Sequence, residues 1–413
     1  MQNDTGLSFT EIHGSAEPFL AAIEEIEQVA LTRRSDDAPL QIRLLTPYGR
    51  NKSTHDFAIT PIATLRGDEA YIAVSYAWAH EESTAAVQIP DYRIWNLAKP
   101  DEPPRPPRCP LLVFHRAIRY AQVKGYSYVW IDQECIYQND DVDREQHLQV
   151  MHRIYRASAV TIAILSVPMR DPVTLEDFVA WAREGYESSE QRRLLPTGTL
   201  ADWLLSMTND RWFLRAWTMH EKLCSNRFEY IIPAAMAQRP GSPSNYQHLL
   251  IDNDIAVDVM ASVANFDMTT SPEPGMLTAY QRLGKWLQPH ATTRDGIARN
   301  ITFALYELGS RENSVLSDRL AILANVCTLC YTLDTTALRD RKVSYRTCLL
   351  VLTFANVWPD AEERRAKYRR FALHDTGQNV SPASENTDEV MEEFLQRPRI
   401  GEDMRWIHYD LNS

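Results

Sequence analysis

The sequence predicts an α/β protein: a parallel sheet flanked by helices, followed by a mainly helical C-terminal region. Three observations predict it. Short β-rich runs alternate with helix-patterned stretches between residues 71 and 165, and such alternation implies parallel strands joined by right-handed crossovers. Ala159-Val-Thr-Ile-Ala-Ile-Leu165 is a continuous apolar run, as expected of a strand buried on both faces. After Gly241 the pattern turns helical, with one stripe of Ile297, Ile301, Leu305 and Leu308 and another from Leu316 to Cys330.

Residues 1–65 read as an N-terminal extension, with a helix over Phe19 to Leu31 and a strand at Ile42-Arg-Leu-Leu45. The α/β domain is placed at 66–235. It opens with the strand Tyr71-Ile-Ala-Val-Ser-Tyr-Ala-Trp78, rich in β-formers. A small hairpin is expected over 85–98, around Val87-Gln-Ile-Pro-Asp. Pro103-Pro-Arg-Pro-Pro107 reads as a stiff, extended linker. A helix starts at Pro110, carries Leu111, Phe114, Ile118 and Ala121 on one face, and stops at Gly125. The strand Tyr128 to Ile131 follows, then a polar loop from Gln133 to Asp143. The next helix turns Leu148, Met151, Ile154 and Tyr155 inward. The helical region is placed at 245–358, and 359–413 reads as a charged, loosely packed end segment containing Trp406.

Composition narrows the function. A net charge of −12 argues against general nucleic-acid binding, which needs clustered Lys and Arg. No apolar run reaches the roughly 18 residues of a membrane span. The N-terminus lacks a basic stretch before an apolar core. The six cysteines form no disulfide framework, which fits a reducing, cytoplasmic setting. Cys327-Thr-Leu-Cys330 has half the spacing of a zinc site, but no second Cys/His pair is near. The pair is read as continuing an apolar helix face, and no metal is expected. No Gly-x-Gly occurs, so the dinucleotide fingerprint and Walker-type loops are absent.

Two tryptophan-bearing segments carry the chemistry. In Tyr128-Val-Trp-Ile-Asp-Gln-Glu-Cys-Ile-Tyr-Gln138, Asp132 ends a strand. Open α/β sheets bind ligands at that end, although an acid there also caps helices and orders loops. In Arg211-Trp-Phe-Leu-Arg-Ala-Trp-Thr-Met-His-Glu221, read as one helix, Trp217 and Glu221 share a side. Phe213, Trp217 and Cys224 define its buried face. Glu221 at the margin is either a site acid or a solvated surface residue. Ser75, Tyr76 and Trp78 end the first strand at the same edge, where Trp78 either stacks on a ligand ring or packs in the core. Arg144 either holds a phosphate or pairs with Glu134, Asp140 or Asp143. Trp130, Trp212 and Trp217 are most simply core aromatics. Cys135 with His220 forms a weaker thiol-nucleophile alternative.

Five segments in order resemble the fungal heterokaryon-incompatibility (HET) domain. They are Ala73 to Trp78; Trp130 to Gln138; Asp143-Arg144 with Met151, Ile154-Tyr155 and Ala157; Arg211 to Glu221; and Ser317 to Leu323. Departures include Ala79, Tyr137, His147, Ile164 and His220, and Tyr137 and His220 flank the expected cleft. The HET domain is in turn similar to the TIR domain, a flavodoxin-like α/β fold. In catalytic TIR domains the glutamate of Trp-x-x-x-Glu supports cleavage of the nicotinamide–ribose bond of NAD, and Trp217-Thr-Met-His-Glu221 has that spacing. The resemblance implies an intracellular protein of self/non-self recognition and programmed cell death. It implies Glu221 and Asp132 as catalytic residues, with Ser75, Tyr76, Trp78, Arg144 and His220 binding substrate. NAD or a related nucleotide enters as substrate, with no cofactor. A homo-oligomer assembled through the loop 133–143, with Tyr137 as anchor, and a protein recognition partner are further implications. A non-catalytic assembly module and a cleft turned to another group transfer are the alternatives.

Overall fold

The computed structural model describes residues 1–4, 6–34, 38–49, 55–65, 70–79, 89–167, 205–234, 247–254, 256, 282, 293–339 and 341–375. The chain opens with α1 (Phe9–His13), α2 (Ala16–Ala30) and β1 (Leu31–Arg33). The short strands β2 (Gln41–Ile42), β3 (Leu45–Pro47), β4 (Asp56–Ile59) and β5 (Ala63–Thr64) follow. Next come β6 (Tyr71–Tyr76), β7 (Arg93–Asn96), α3 (Leu111–Lys124) and β8 (Tyr128–Trp130). Then α4 (Asp132–Cys135), α5 (Asp141–Ala157), β9 (Val160–Ile164), α6 (Arg211–Leu214), α7 (Ala216–Cys224), β10 (Phe228–Ala234) and β11 (Gln247–Asp252) complete the sheet region. The remainder is α8 (Arg294–Gly309), α9 (Asp318–Val326), β12 (Tyr331–Leu333), α10 (Thr335–Arg339), α11 (Tyr345–Val357) and α12 (Ala361–Asp375).

Two compact units emerge. One is Pro39–Arg144 with Met151–Lys285; the other is Met1–Ala38, Glu145–Val150 and Trp286–Ser413. Residues 1–65 are therefore divided between the units.

The first unit is built on an eight-stranded sheet, in the order β11-β10-β9-β6-β8-β3-β4-β7. Its middle strands β10, β9, β6 and β8 run parallel, and β11 and β3 join them antiparallel. The apolar runs seen in the sequence supply the centre: every residue of β6 and β9 is buried. Alternation along β6 divides its side chains between two faces. Ile72, Val74 and Tyr76 join Val113, Phe114, Ala117 and Ile118 of α3 in one apolar cluster. On the opposite face the Tyr71 hydroxyl donates to the Ile154 carbonyl of α5, and Ser75 accepts from Trp212 of α6. Helices thus cover both faces, as a parallel sheet requires. Helix α3 lies within the expected bounds: Pro110 occupies its N-cap, and Gly125 ends it in the left-handed region at φ 79°, where a Cβ would be strained.

Several expectations need correction. Residues 85–88 of the expected hairpin lie outside the described residues. Its other half, β7, pairs in parallel with β4, matching Asp56 to Arg93. The proline-rich stretch, expected to be stiff and extended, is also held in place by its own contacts. Ile94 and Arg105 exchange backbone hydrogen bonds of 2.7 and 3.0 Å. Arg105 also pairs with the buried Glu134 at 2.7 Å, and Glu134 accepts from the Cys109 amide. The loop expected from Gln133 to Asp143 is shortened at both ends by helices: α4 begins at Asp132, and Asp140 caps α5 by accepting from the Val142 and Asp143 amides. Among the described residues beyond Gly241, the first element is β11, paired antiparallel with β10.

The second unit is helical. Strand β1 pairs antiparallel with β12, and α2 packs against α11 and α12. Ser8 and Glu11 form a capping box on α1. The stretch after residue 359 is not loosely packed through α12. Tyr368 and Phe371 are buried there, Tyr368 stacks on Phe354 at 5.1 Å, and Arg364 pairs with Glu27 at 2.7 Å. Trp406 lies outside the described residues. Helix α9 ends at Val326, and Thr328 takes φ 49°. This turn buries Cys327 and exposes Cys330, so the two do not continue one helix face. Among the described residues no helix is long and apolar enough to cross a membrane, and no group of three or more His, Cys, Asp or Glu could hold a metal ion.

Candidate functional site

In chain order the parallel strands are β6, β8, β9 and β10, yet across the sheet they run β8-β6-β9-β10. The order reverses at β6, and open α/β sheets form their ligand crevice at such a switch point, outside the C-terminal strand ends. The residues leaving those ends are Tyr76 to Trp78 from β6, and Ile131 and Asp132 from β8.

Asp132 is 8% exposed and holds three donors. Its Oδ1 accepts from the Tyr76 hydroxyl at 2.7 Å and from the Gln133 amide at 2.7 Å. Its Oδ2 accepts from the Trp78 indole at 2.7 Å. Burial pushes its proton affinity up, and the three hydrogen bonds oppose that push. The Trp78 ring is anchored through its nitrogen while remaining 44% exposed, so the tethered indole presents apolar surface beside the carboxylate.

Glu221, on α7, is 5% exposed. Burial, then the charge of Asp132, push its pKa up to about 8. The Ser75 hydroxyl, Arg215 and the Tyr155 hydroxyl pull the other way. The Ser75 oxygen accepts from Trp212 Nε1 at 2.7 Å, which leaves its proton available to a neighbour. Glu221 Oε2 and Tyr155 Oη have no hydrogen-bond partner among the described residues.

The segment expected as one helix is two. Asp210 caps α6 by accepting from the Trp212 amide, and its other oxygen accepts from the Ser166 and Val167 amides just past β9. Arg215 is extended at φ −89°, ψ 141°, and α7 begins after it. Thr218 secures the break, donating to the Arg215 carbonyl at 2.9 Å and to the Trp212 carbonyl. Phe213 is therefore not on the helix of Trp217 and Glu221. Trp217 is only half-buried, whereas Trp130 and Trp212 are fully enclosed.

The structure thus brings together Asp132, Glu221, Ser75, Tyr76 and Trp78, although Ser75 and Tyr76 point to opposite sheet faces. His220 is buried, its ring edge-on to Tyr155 at 6.0 Å and to Trp217 at 5.4 Å. Arg144 is engaged by Asp141 at 2.5 Å and by the Gln138 carbonyl at 3.4 Å. Tyr137 lies under the Arg43 guanidinium at 3.9 Å and reaches Asn96 through its hydroxyl. Burial pushes the Cys135 thiol up to about 12, opposite to the need of a thiolate nucleophile. Sequence reasoning missed Tyr155 and Arg215 as site residues. Tyr155 read only as an inward helix residue. The signal for Arg215 was its place between Trp212 and Trp217, and the chain break there carries neither Gly nor Pro.

Residues 71–221 match the family model of Heterokaryon incompatibility protein (HET). This match places a HET domain within the chain, and such a domain suggests a role in heterokaryon incompatibility and cell death. No curated protein and no solved structure matches it.

Proposed function

We propose that the chain serves self/non-self recognition and programmed cell death in the cytoplasm by cleaving the nicotinamide–ribose bond of NAD between Asp132 and Glu221. The observation that carries this reading is the pair of buried, mutually repelling carboxylates at the switch point of the parallel strands. The spacing from Trp217 to Glu221, shared with catalytic TIR domains, supports it.

The chemistry suits such a pair. The C1′–N bond breaks, and its electrons leave with nicotinamide, which departs as a neutral base. The ribosyl carbon gains cationic character, which a fixed carboxylate stabilises. Water adds to that carbon and gives up a proton, so the products are ADP-ribose, nicotinamide and one proton. Without ligand, Glu221 holds its proton up to about pH 8. A pyridinium cation beside it would favour the ionised form, so arrival of the charged ring prepares the acid for its role. Asp132, hydrogen-bonded on both oxygens, supplies the fixed second charge. The exposed Trp78 face offers a surface for a flat ring. Release of free nicotinamide from NAD by the purified protein, lost in Glu221→Gln, tests the reading.

A further inference from the structure

Tyr155 has no role in the reaction as drawn, yet its placement is specific. Its side chain is fully buried on α5. The ring is held edge-on by Trp130 at 5.4 Å and by His220 at 6.0 Å. Two aromatic neighbours fix the direction of the hydroxyl, which meets no hydrogen-bond partner among the described residues. A buried orphan hydroxyl costs free energy, and Phe would fill the same space without that cost. The group near it is Glu221, whose Oε2 is the second orphan.

We propose that Tyr155 is the positioning residue of the Glu221 carboxylate, donating its hydroxyl proton to Glu221 Oε2 when that acid is ionised. The contact is weaker when Glu221 is protonated, because a neutral acid is a poorer acceptor than a carboxylate. The other groups facing Glu221 are Asp132 from α4, Arg215 from the α6–α7 link and Ser75 from β6. Asp132 opposes ionisation, and the other two favour it. Cys224 and Asp132 also face Tyr155, where they act with burial to keep the phenol protonated. His220 contributes its ring edge. Tyr155 thus remains a donor throughout the range in which Glu221 titrates.

This inference rests on reading Asp132 and Glu221 as the working site, but its test uses no NAD. Melting temperatures of full-length wild type and Tyr155→Phe are compared at pH 6 and pH 9, and the same pair is measured in a Glu221→Gln background. A hydrogen bond made only to ionised Glu221 leaves Tyr155→Phe within about 1 °C of wild type at pH 6. It should lie roughly 2–4 °C lower at pH 9. In the Glu221→Gln background that pH-dependent gap should vanish. A gap equal at both pH values, a gap that survives Glu221→Gln, or a Tyr155→Phe chain that does not fold would each assign Tyr155 to packing and overturn the proposal. Intact NAD in the nicotinamide assay would instead overturn the proposed reaction.

Discussion

Glu221 and Asp132 are two buried carboxylates whose charges repel across the C-terminal edge of the parallel strands. Asp132 has three donors to hold it, whereas Glu221 keeps one oxygen without a partner. The two acids therefore differ in environment, the arrangement by which paired carboxylates take different roles.

That asymmetry makes stability depend on pH. Glu221 titrates near 8 when folded, against an ordinary value of 4.5. Between these values the folded chain holds a proton that the unfolded chain has lost. Stability should therefore fall as pH rises from about 4.5 to 8 and level off above. Glu221→Gln lacks this term. Its stability advantage over wild type should grow across that window by on the order of 5 kcal/mol, as read by denaturant unfolding. A pH-independent difference would show that Glu221 titrates normally.

Asp132→Asn removes the charge that repels Glu221. The Glu221 titration should move to lower pH, carrying the acidic limb of any activity profile with it. The substituted amide also turns a donor toward Trp78 or Tyr76, so a loss of about 1–3 kcal/mol in stability is expected. An unmoved pH profile would separate the two acids.

Trp217→Ala should cost less than a core truncation, since the ring is half-buried and meets His220 edge-on. A loss of about 1–2 kcal/mol is expected, against about 3–5 kcal/mol for Trp130→Ala. Equal losses by chemical denaturation would place Trp217 in the core.

Arg43 and Asp143 form a buried pair through two hydrogen bonds of 3.0 and 2.8 Å, and Tyr137 packs on the same guanidinium. Arg43→Ala leaves Asp143 buried without its cation, so stability should fall by about 3–5 kcal/mol. An unchanged melting temperature would mean that Tyr137 is not held by this pair and is available as a surface anchor.

What the sequence disclosed depended on whether the signal was local. The strand at Tyr71 and the helix from Pro110 to Gly125 carry their own patterning and end signals, and both are present. The parallel pairing of β7 with β4 joins residues far apart in sequence, and no turn residue announces it. The break at Arg215 is fixed by hydrogen bonds of Thr218 to α6 rather than by a breaker residue. The candidate site was legible as residue types at a strand end and on a helix. The full burial of Tyr155 and its proximity to Glu221 come from packing across the sheet, where no spacing rule reaches.

The central claim is tested most directly by nicotinamide released from NAD by the purified full-length chain, wild type against Glu221→Gln. The account predicts release by wild type and a loss of at least about 10²-fold in the variant, with the variant folded by circular dichroism. NAD left intact by wild type, or consumed at the wild-type rate by Glu221→Gln, would contradict it.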